Sequence, residues 1–316
     1  MNETINRKAS LAMLESMLLI RAYEEKAAAM QAAGQAAGTC TSVGQEASAV
    51  GVVSALSMDD LILTNHRSAG HLLARGADPA RLYAEVLGKA SGYCKGKSGS
   101  LHISVKELGV VLTSTIVGAE LSLAAGVALA LSMQESSAIT TCFFGDGAAC
   151  EGSFHESLNL AAVWRLPILY VCENNQWQAF VHRCETMPMD RIANWAVEHG
   201  IETATVDGND VEAVHRAAKA GIAHIRATGQ PYFLETYTYR VRGHYEPDDQ
   251  SYVDKDELAA WRTRDPIDQL QAKLQLSAGE AQGLRERVSA RIEDAWNQAI
   301  GAPYPATSEL TKDVYA

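Results

Sequence analysis

The sequence predicts an α/β fold in which parallel strands alternate with helices. Two short apolar runs rich in β-forming residues, 140–144 and 168–172, predict buried parallel strands. Between them, residues 148–164 place apolar or small side chains at helical spacing, and Pro167 ends this segment before the second strand. Together these segments form a βαβ unit. A second alternation of strand, helix and strand toward the carboxyl end of the chain supports the same fold class.

The other elements follow from periodicity and from glycine punctuation. Residues 117–133, rich in Gly, Ala and Leu, predict a buried helix whose small residues allow close packing, which could include a subunit interface. We expect one large domain over residues 1–316, with an amino-terminal helical extension (about 1–40) and a carboxyl-terminal helical region (about 255–316). The remaining predicted elements are helices over 5–33, 45–56 and 210–227, strands near 202–206 and 231–238, and helical structure from the end of the acidic loop 246–256 to about residue 300, followed by a tail that docks or frays.

Composition excludes several classes of protein. The chain has 316 residues, of which 47% are hydrophobic and 21% charged, enough for a substantial core. Its net charge of -11 argues against binding to nucleic acid, because the phosphates would repel the protein. The six cysteines form no C-x-x-C pair, and no apolar stretch reaches the ~18 residues that predict a membrane span. We therefore expect reduced cysteines and a cytoplasmic location.

Polar residues follow both strands of the first βαβ unit. Gly145-Asp146-Gly147 comes directly after the first strand, and Asn174-Asn175 ends the second. Parallel strands joined by a right-handed crossover end at the same edge of the sheet, so Asp146 and Asn175 should lie side by side there. Strands about 4.8 Å apart bring a carboxylate and an amide oxygen within reach of one magnesium ion, which binds oxygens at about 2.0–2.1 Å. A carbonyl near Trp177 could add a third ligand, and phosphate oxygens and water would complete the shell.

The same residues have ordinary interpretations. Asp-Gly is the commonest hairpin turn signal, and Asp146 could be a helix N-cap. The strand before it, the helix after it and the Asn-Asn pair favour a magnesium-diphosphate site, with backbone amides after Gly147 facing the diphosphate.

In its motifs and their order, the chain resembles the alpha subunits of heterotetrameric thiamine-diphosphate-dependent 2-oxo acid dehydrogenases, the group that acts on pyruvate, branched-chain 2-oxo acids and acetoin. The resemblance covers nearly the whole chain, and the matching segments occur in the family's order. Besides Gly-Asp-Gly and Asn-Asn, they are Gly44-Gln45-Glu46-Ala47, His66-Arg67, Lys95-Gly96-Lys97-Ser98-Gly99-Ser100-Leu101-His102, Ile116-Val117-Gly118-Ala119, Val206-Asp207-Gly208-Asn209-Asp210, and Thr238-Tyr239-Arg240 with Gly243-His244.

The resemblance implies a thiamine-diphosphate-binding fold, with a parallel sheet flanked by helices on both faces, and it implies a set of site residues. Magnesium would be bound by Asp146, Asn175 and the carbonyl of Trp177. Val117 would touch the aminopyrimidine through its backbone, and His244 would have a catalytic role as well. The other implied cofactor contacts are His66, Arg67, Thr115, Gly145, Gly147, Ala148 and His244.

Taken alone, each of these segments also has an interpretation that does not involve a cofactor. Arg67 could be a solvated loop arginine, and the loop around His244 could be a surface turn. Residues 95–102 could form a flexible loop or a phosphate-binding loop.

In the resembling family the glutamate that activates the cofactor lies on a beta subunit. We therefore expect an obligate complex, two alpha and two beta chains, that decarboxylates a 2-oxo acid or cleaves an acyloin and passes the acyl unit to a lipoyl-bearing acyltransferase. His66-Arg67 and residues 94–97 most resemble the acetoin branch.

Three departures from the family pattern fall near the expected pocket. Cys40 stands where the family has a histidine, Thr115 where it has a glycine, and Gln178-Ala179-Phe180 where it has Gly-x-Gly. The lost histidine removes a proton carrier, which leaves a thiamine-dependent carboligase as an alternative. An alternative of another class is a non-catalytic cofactor-binding or scaffold subunit.

Overall fold

The computed structural model describes residues 5–314 and contains a six-stranded sheet in which every pairing is parallel. The strands are β1 Leu61–Asn65, β2 Val110–Ser114, β3 Thr140–Gly145, β4 Ile168–Asn174, β7 Glu202–Asp207 and β8 Tyr232–Tyr237, and a separate antiparallel hairpin consists of β5 Trp177–Gln178 and β6 Val181–His182. The order in the large sheet is β2-β1-β3-β4-β8-β7. The predicted α/β class is confirmed.

Helices cover both faces of this sheet. They are α1 Arg7–Ala32, α2 Glu46–Val53, α3 Ala69–Ala74, α4 Pro79–Val86, α5 Ala119–Met133, α6 Asp146–Ala149, α7 Gly152–Trp164, α8 Ala193–Glu198, α9 Val211–Thr228, α10 Lys255–Arg262, α11 Pro266–Leu274 and α12 Ala278–Gly301. No helix in residues 5–314 is both long enough and apolar enough to cross a bilayer.

Successive side chains of the central strands pack into two separate hydrophobic cores, one on each face of the sheet. Phe143 of β3 packs into one core, with α1, α2, α4, α9, α11 and α12. Cys142 and Phe144 on either side of it pack into the other, with α5, α7 and α8. A strand covered on both faces buries side chains on both sides, which explains the apolar runs 142–144 in β3 and 168–172 in β4.

The predicted helix over residues 148–164 is wrong in one respect, because the structure divides it. Helix α6 ends with Cys150 as its C-cap, and Glu151 is in an extended conformation at the start of α7. The carboxyl-terminal helical region is likewise three helices, because Asp254, Asp265 and Ser277 each accept hydrogen bonds from the following backbone amides and start a new helix. Helix α1 packs within the larger core, which supports a single domain; residues 1–4 and 315–316 of that predicted domain lie outside the described chain.

Candidate cofactor and metal site

The carboxyl ends of β1, β2, β3, β4 and β8 meet at one edge of the sheet. From β1 the chain first adds β2 on one side and then β3 on the other, so the strand order reverses between β1 and β3. Loops leaving a parallel sheet at such a point diverge and open a crevice. A cavity of about 360 Å³ lies there.

Asp146 follows β3 as the first residue of α6, between Gly145 and Gly147, which line the cavity, and is not itself part of the lining. It is fully buried, and neither carboxylate oxygen accepts a hydrogen bond of ordinary geometry. Burial raises its pKa to about 7, although the backbone amides of Asp146 itself and of Asn175 partly offset this effect. A buried carboxylate without partners is costly to ionise unless a cation neutralises it. The position therefore fits a metal ion.

Asn175 is held beside Asp146 by contacts on both ends of its amide. Its Nδ2 donates to Gln45 Oε1 at 3.0 Å, and its Oδ1 accepts from the backbone amide of Trp177 at 3.1 Å. Gln176 between them has φ +72°, a left-handed turn that starts the β5–β6 hairpin. The turn brings the backbone of Trp177 back to the edge where β3 and β4 end.

Two arginines and two histidines also line the cavity: Arg67, Arg240, His66 and His244. Arg67 is buried, and its Nη2 donates to the ring Nδ1 of His244 at 3.0 Å and to the backbone carbonyl of His244 at 2.8 Å. Its Nη1 donates to the carbonyl of Thr41 at 2.9 Å. Arg240, also buried, donates from Nη2 to the carbonyl of Ala179 and to the hydroxyl of Tyr252. The ring of His66 lies edge-on to that of His244, with centroids 5.8 Å apart.

This crowding shifts the pKa values of the whole group. Burial, and then the charge of Arg67, lower the pKa of His66 to about 3 and that of His244 to about 4. The same two causes lower the pKa of Arg240 to about 10. Groups that repel one another in this way are stabilised by an anion placed between them. This group therefore fits a diphosphate.

Two acids line the cavity as well. Glu120 is 1% exposed, its Oε2 has no hydrogen-bond partner, and burial raises its pKa to about 7. Glu173 is also buried, and its Oε1 lies 3.1 Å from Nε2 of His71, whose Nδ1 lies 2.8 Å from the hydroxyl of Thr64. The cavity is thus cationic on one side and acidic on another.

Most of the predicted site residues are brought together here. Asp146 lies outside the lining, between Gly145 and Gly147, which belong to it. Thr115 lies outside the lining, with its hydroxyl 3.2 Å from Nε2 of His102, so its contact with the cofactor stays a prediction. The predicted residues that line the cavity are His66, Arg67, Val117, Gly145, Gly147, Ala148, Asn175, Trp177 and His244.

Several lining residues were not predicted. Arg240 was noted only as part of the matching segment Thr238-Tyr239-Arg240, although its place four residues before His244 was the available signal. Gln178 and Ala179 were noted only as departures from the family pattern, and Cys150 only as one of the cysteines. Nothing in the sequence indicated that Gln45, from the loop before α2, would orient Asn175.

Several backbone amides in and beside the loop 95–102 converge on one internal carboxylate. The backbone amides of Cys94, Gly96 and Ser98 donate to the carboxylate of Glu85 at 2.7, 3.0 and 2.8 Å, and the hydroxyl of Ser98 donates to it at 2.9 Å. Glu85 is fully buried. An internal carboxylate therefore takes the anion's place in this loop.

The residues present fit a metal and a diphosphate together. Within residues 5–314, His, Cys, Asp and Glu side chains do not form a group of three that could hold a metal ion alone. A site built from one carboxylate, one amide oxygen and one carbonyl needs further oxygens, and magnesium usually takes them from phosphate and water.

Comparison with known proteins agrees with this geometry. The family model described as "Dehydrogenase E1 component" matches residues 14–308. The alpha subunit of acetoin:2,6-dichlorophenolindophenol oxidoreductase from Bacillus subtilis (strain 168) is 39% identical over 316 residues, which cover 99% of this chain and 95% of the relative. The pyruvate dehydrogenase E1 component subunit alpha of Rhizobium meliloti (strain 1021) is 36% identical, over 98% of this chain and 90% of the relative.

Proposed function

This chain belongs to the dehydrogenase E1 component family, and from that premise we propose that it is the alpha subunit of a thiamine-diphosphate-dependent dehydrogenase acting on acetoin or a 2-oxo acid. One observation carries the proposal: the carboxylate of Asp146, which has no hydrogen-bond partner of ordinary geometry, lies at the same edge of the sheet as the guanidinium groups of Arg67 and Arg240 and the neutral rings of His66 and His244. A metal diphosphate compensates both kinds of charge at once.

In this proposal Asp146, Asn175 and the carbonyl of Trp177 hold Mg²⁺. Arg67, His66, Arg240 and the backbone after Gly145 hold the diphosphate, and the backbone of Val117 contacts the aminopyrimidine. When bound, thiamine diphosphate supplies a nucleophilic carbon and an electron sink for cleavage of the bond beside a carbonyl group. The chain itself supplies orientation and charge.

His244 is proposed as the residue that moves a proton. A guanidinium can only donate, so Nδ1 of His244 accepts from Arg67 and the neutral ring carries its proton on Nε2. Burial and Arg67 keep the ring neutral near pH 7, since they lower its pKa to about 4. The negative charge of a diphosphate would raise that pKa toward the range in which a histidine exchanges protons.

The cavity needs a second chain to be complete. Beside it, Ile116, Val117 and Phe180 are 68%, 49% and 51% exposed. Large apolar side chains exposed next to a site are typical of a surface that a partner covers. We propose that a beta subunit covers them in an assembly of two alpha and two beta chains, and that it brings the activating glutamate.

We further propose that the acyl unit passes to the lipoyl group of an acyltransferase component. A cytoplasmic location is part of the proposal, since the six free cysteines suit a reducing compartment.

The test is co-expression with the beta subunit, followed by calorimetry with thiamine diphosphate and Mg²⁺ and by turnover of acetoin and of 2-oxo acids with 2,6-dichlorophenolindophenol as electron acceptor. We expect the cofactor to bind the assembled protein only with the metal, and turnover to require both subunits. Absence of cofactor binding by the assembled pair would refute the proposal. Acylation of an added lipoyl domain tests the acceptor separately.

A further inference from the structure

One thiol opens into the cavity just described. Cys150, the C-cap of α6, is exposed and lines the cavity. Its Sγ accepts a hydrogen bond from Nε2 of Gln178 at 3.3 Å, and Gln178 also lines the cavity. The sulfur therefore has both solvent access and a fixed position.

A second feature of the same cavity points to a ligand independently of the cysteine. Glu120 lines the cavity and is 1% exposed, and its Oε2 has no hydrogen-bond partner. Buried polar atoms are normally paired, so an unpaired one indicates a surface built to meet another molecule. Cys150 thus lies in a binding cavity and not on ordinary protein surface.

The other cysteines differ in ways that provide controls. Cys142 and Cys172 are buried, and burial raises the pKa of each thiol well above its usual value. Cys40 and Cys94 are half-buried. Cys184 is exposed like Cys150 but lies outside the cavity lining, which makes it a matched comparison.

We propose that Cys150 is a covalent modification site for soft electrophiles, α,β-unsaturated carbonyl compounds above all, and that its modification excludes the cofactor. This inference rests on the proposed function, because the excluded ligand is the one proposed for the cavity. An adduct at Sγ would occupy part of about 360 Å³ that the cofactor must fill.

The chemistry is a conjugate addition. The sulfur of Cys150 forms a bond to the β carbon of the unsaturated carbonyl compound, the carbon–carbon π bond breaks, and the thiol proton ends on the α carbon. No oxidant or reductant is consumed. Reaction requires access to the thiol, which Cys150 has and the buried cysteines lack.

The test uses the full chain assembled with its beta subunit and N-ethylmaleimide as the probe. Labelling of each cysteine is followed by peptide mass spectrometry, with and without thiamine diphosphate and Mg²⁺. We expect saturating cofactor to slow labelling of Cys150 by at least about tenfold and that of Cys184 by less than about twofold, because only Cys150 shares the cavity. Calorimetry should show loss of cofactor binding after labelling.

The variants Cys150→Ser and Cys184→Ser complete the design. Maleimide treatment should leave cofactor binding by Cys150→Ser at its own untreated level, whereas treated Cys184→Ser should lose binding like the wild type. Equal labelling of Cys150 with and without bound cofactor would overturn the inference while leaving the proposed function intact. If the untreated assembly bound no cofactor, both proposals would be refuted.

Discussion

Arg67 holds His244 at two points, the ring Nδ1 and the backbone carbonyl, with a single guanidinium nitrogen. The two residues are 177 positions apart in the sequence, one just after β1 and the other after β8. The contact sets both the position of the loop after β8 and the tautomer of the histidine. The positive charge of Arg67 is therefore in direct contact with the residue proposed to move a proton.

The first prediction concerns that contact. Arg67→Lys keeps the charge, but a lysine cannot reproduce the fork that reaches Thr41 and His244 together. We expect cofactor affinity, measured by calorimetry, to fall by at least about tenfold. Arg242→Lys is the control, because Arg242 pairs with Glu246 at 2.7 Å and lies outside the cavity lining. A similar loss in both variants would contradict a specific role for Arg67.

The second prediction concerns metal dependence. Asp146→Asn removes the charge that attracts the metal but keeps the size of the side chain. We expect metal-dependent cofactor binding to be lost in calorimetry. The protein prepared without cofactor should meanwhile become more stable to urea, by roughly 1–3 kcal/mol at pH 7.5, because a buried unpaired carboxylate is removed. A destabilised variant would show that the carboxylate has partners after all.

The third prediction gives the pH dependence of this gain. Burial raises the pKa of Asp146 to about 7 in the folded chain, above its pKa in the unfolded chain. The contribution of Asp146 to the free energy of unfolding is therefore fully present when the pH is below the unfolded-state pKa, and it is lost as the pH rises through about 7. The stability of the wild type relative to Asp146→Asn should therefore decrease between pH 5 and pH 8. Urea unfolding of both proteins without metal, at several pH values, measures the difference. A constant difference would show that Asp146 keeps an ordinary pKa.

The fourth prediction concerns Glu85. Glu85→Ala leaves three backbone amides and the hydroxyl of Ser98 without their acceptor. We expect a loss of about 3 kcal/mol or more in the free energy of unfolding. Glu107→Ala, which breaks a surface ion pair with Arg81, should cost less than about 1 kcal/mol. Comparable losses in urea unfolding would contradict the structural role of Glu85.

The fold was largely predictable because the central strands carry their own signal. Residues 142–144 of β3 and 168–172 of β4 are apolar runs of the kind typical of strands covered on both faces. β1 and β2 were missed, because each is five residues long and ends in polar residues. The division of α6 from α7 was missed as well, since helical periodicity continues across Cys150 and Glu151 while the backbone does not.

The site divides in the same way. Asp146 and Asn175 were predictable from local order, because the carboxyl ends of neighbouring parallel strands must meet. The partners that orient them, such as Gln45, depend on contacts across more than a hundred residues of sequence. Periodicity carries no information about such contacts, and only the folded chain reveals them.

The junction of β3 and α6 at Gly145-Asp146-Gly147 has a thermodynamic consequence. The carboxylate of Asp146 would hold the metal, and the adjacent backbone would hold the diphosphate, so each ion lowers the electrostatic cost of the other. Linkage then requires reciprocity: whatever factor the metal gains from the diphosphate, the diphosphate gains from the metal. We expect the metal ion alone and the diphosphate alone each to bind weakly. When both are present, most protein molecules should hold either neither ligand or both, and few should hold only one.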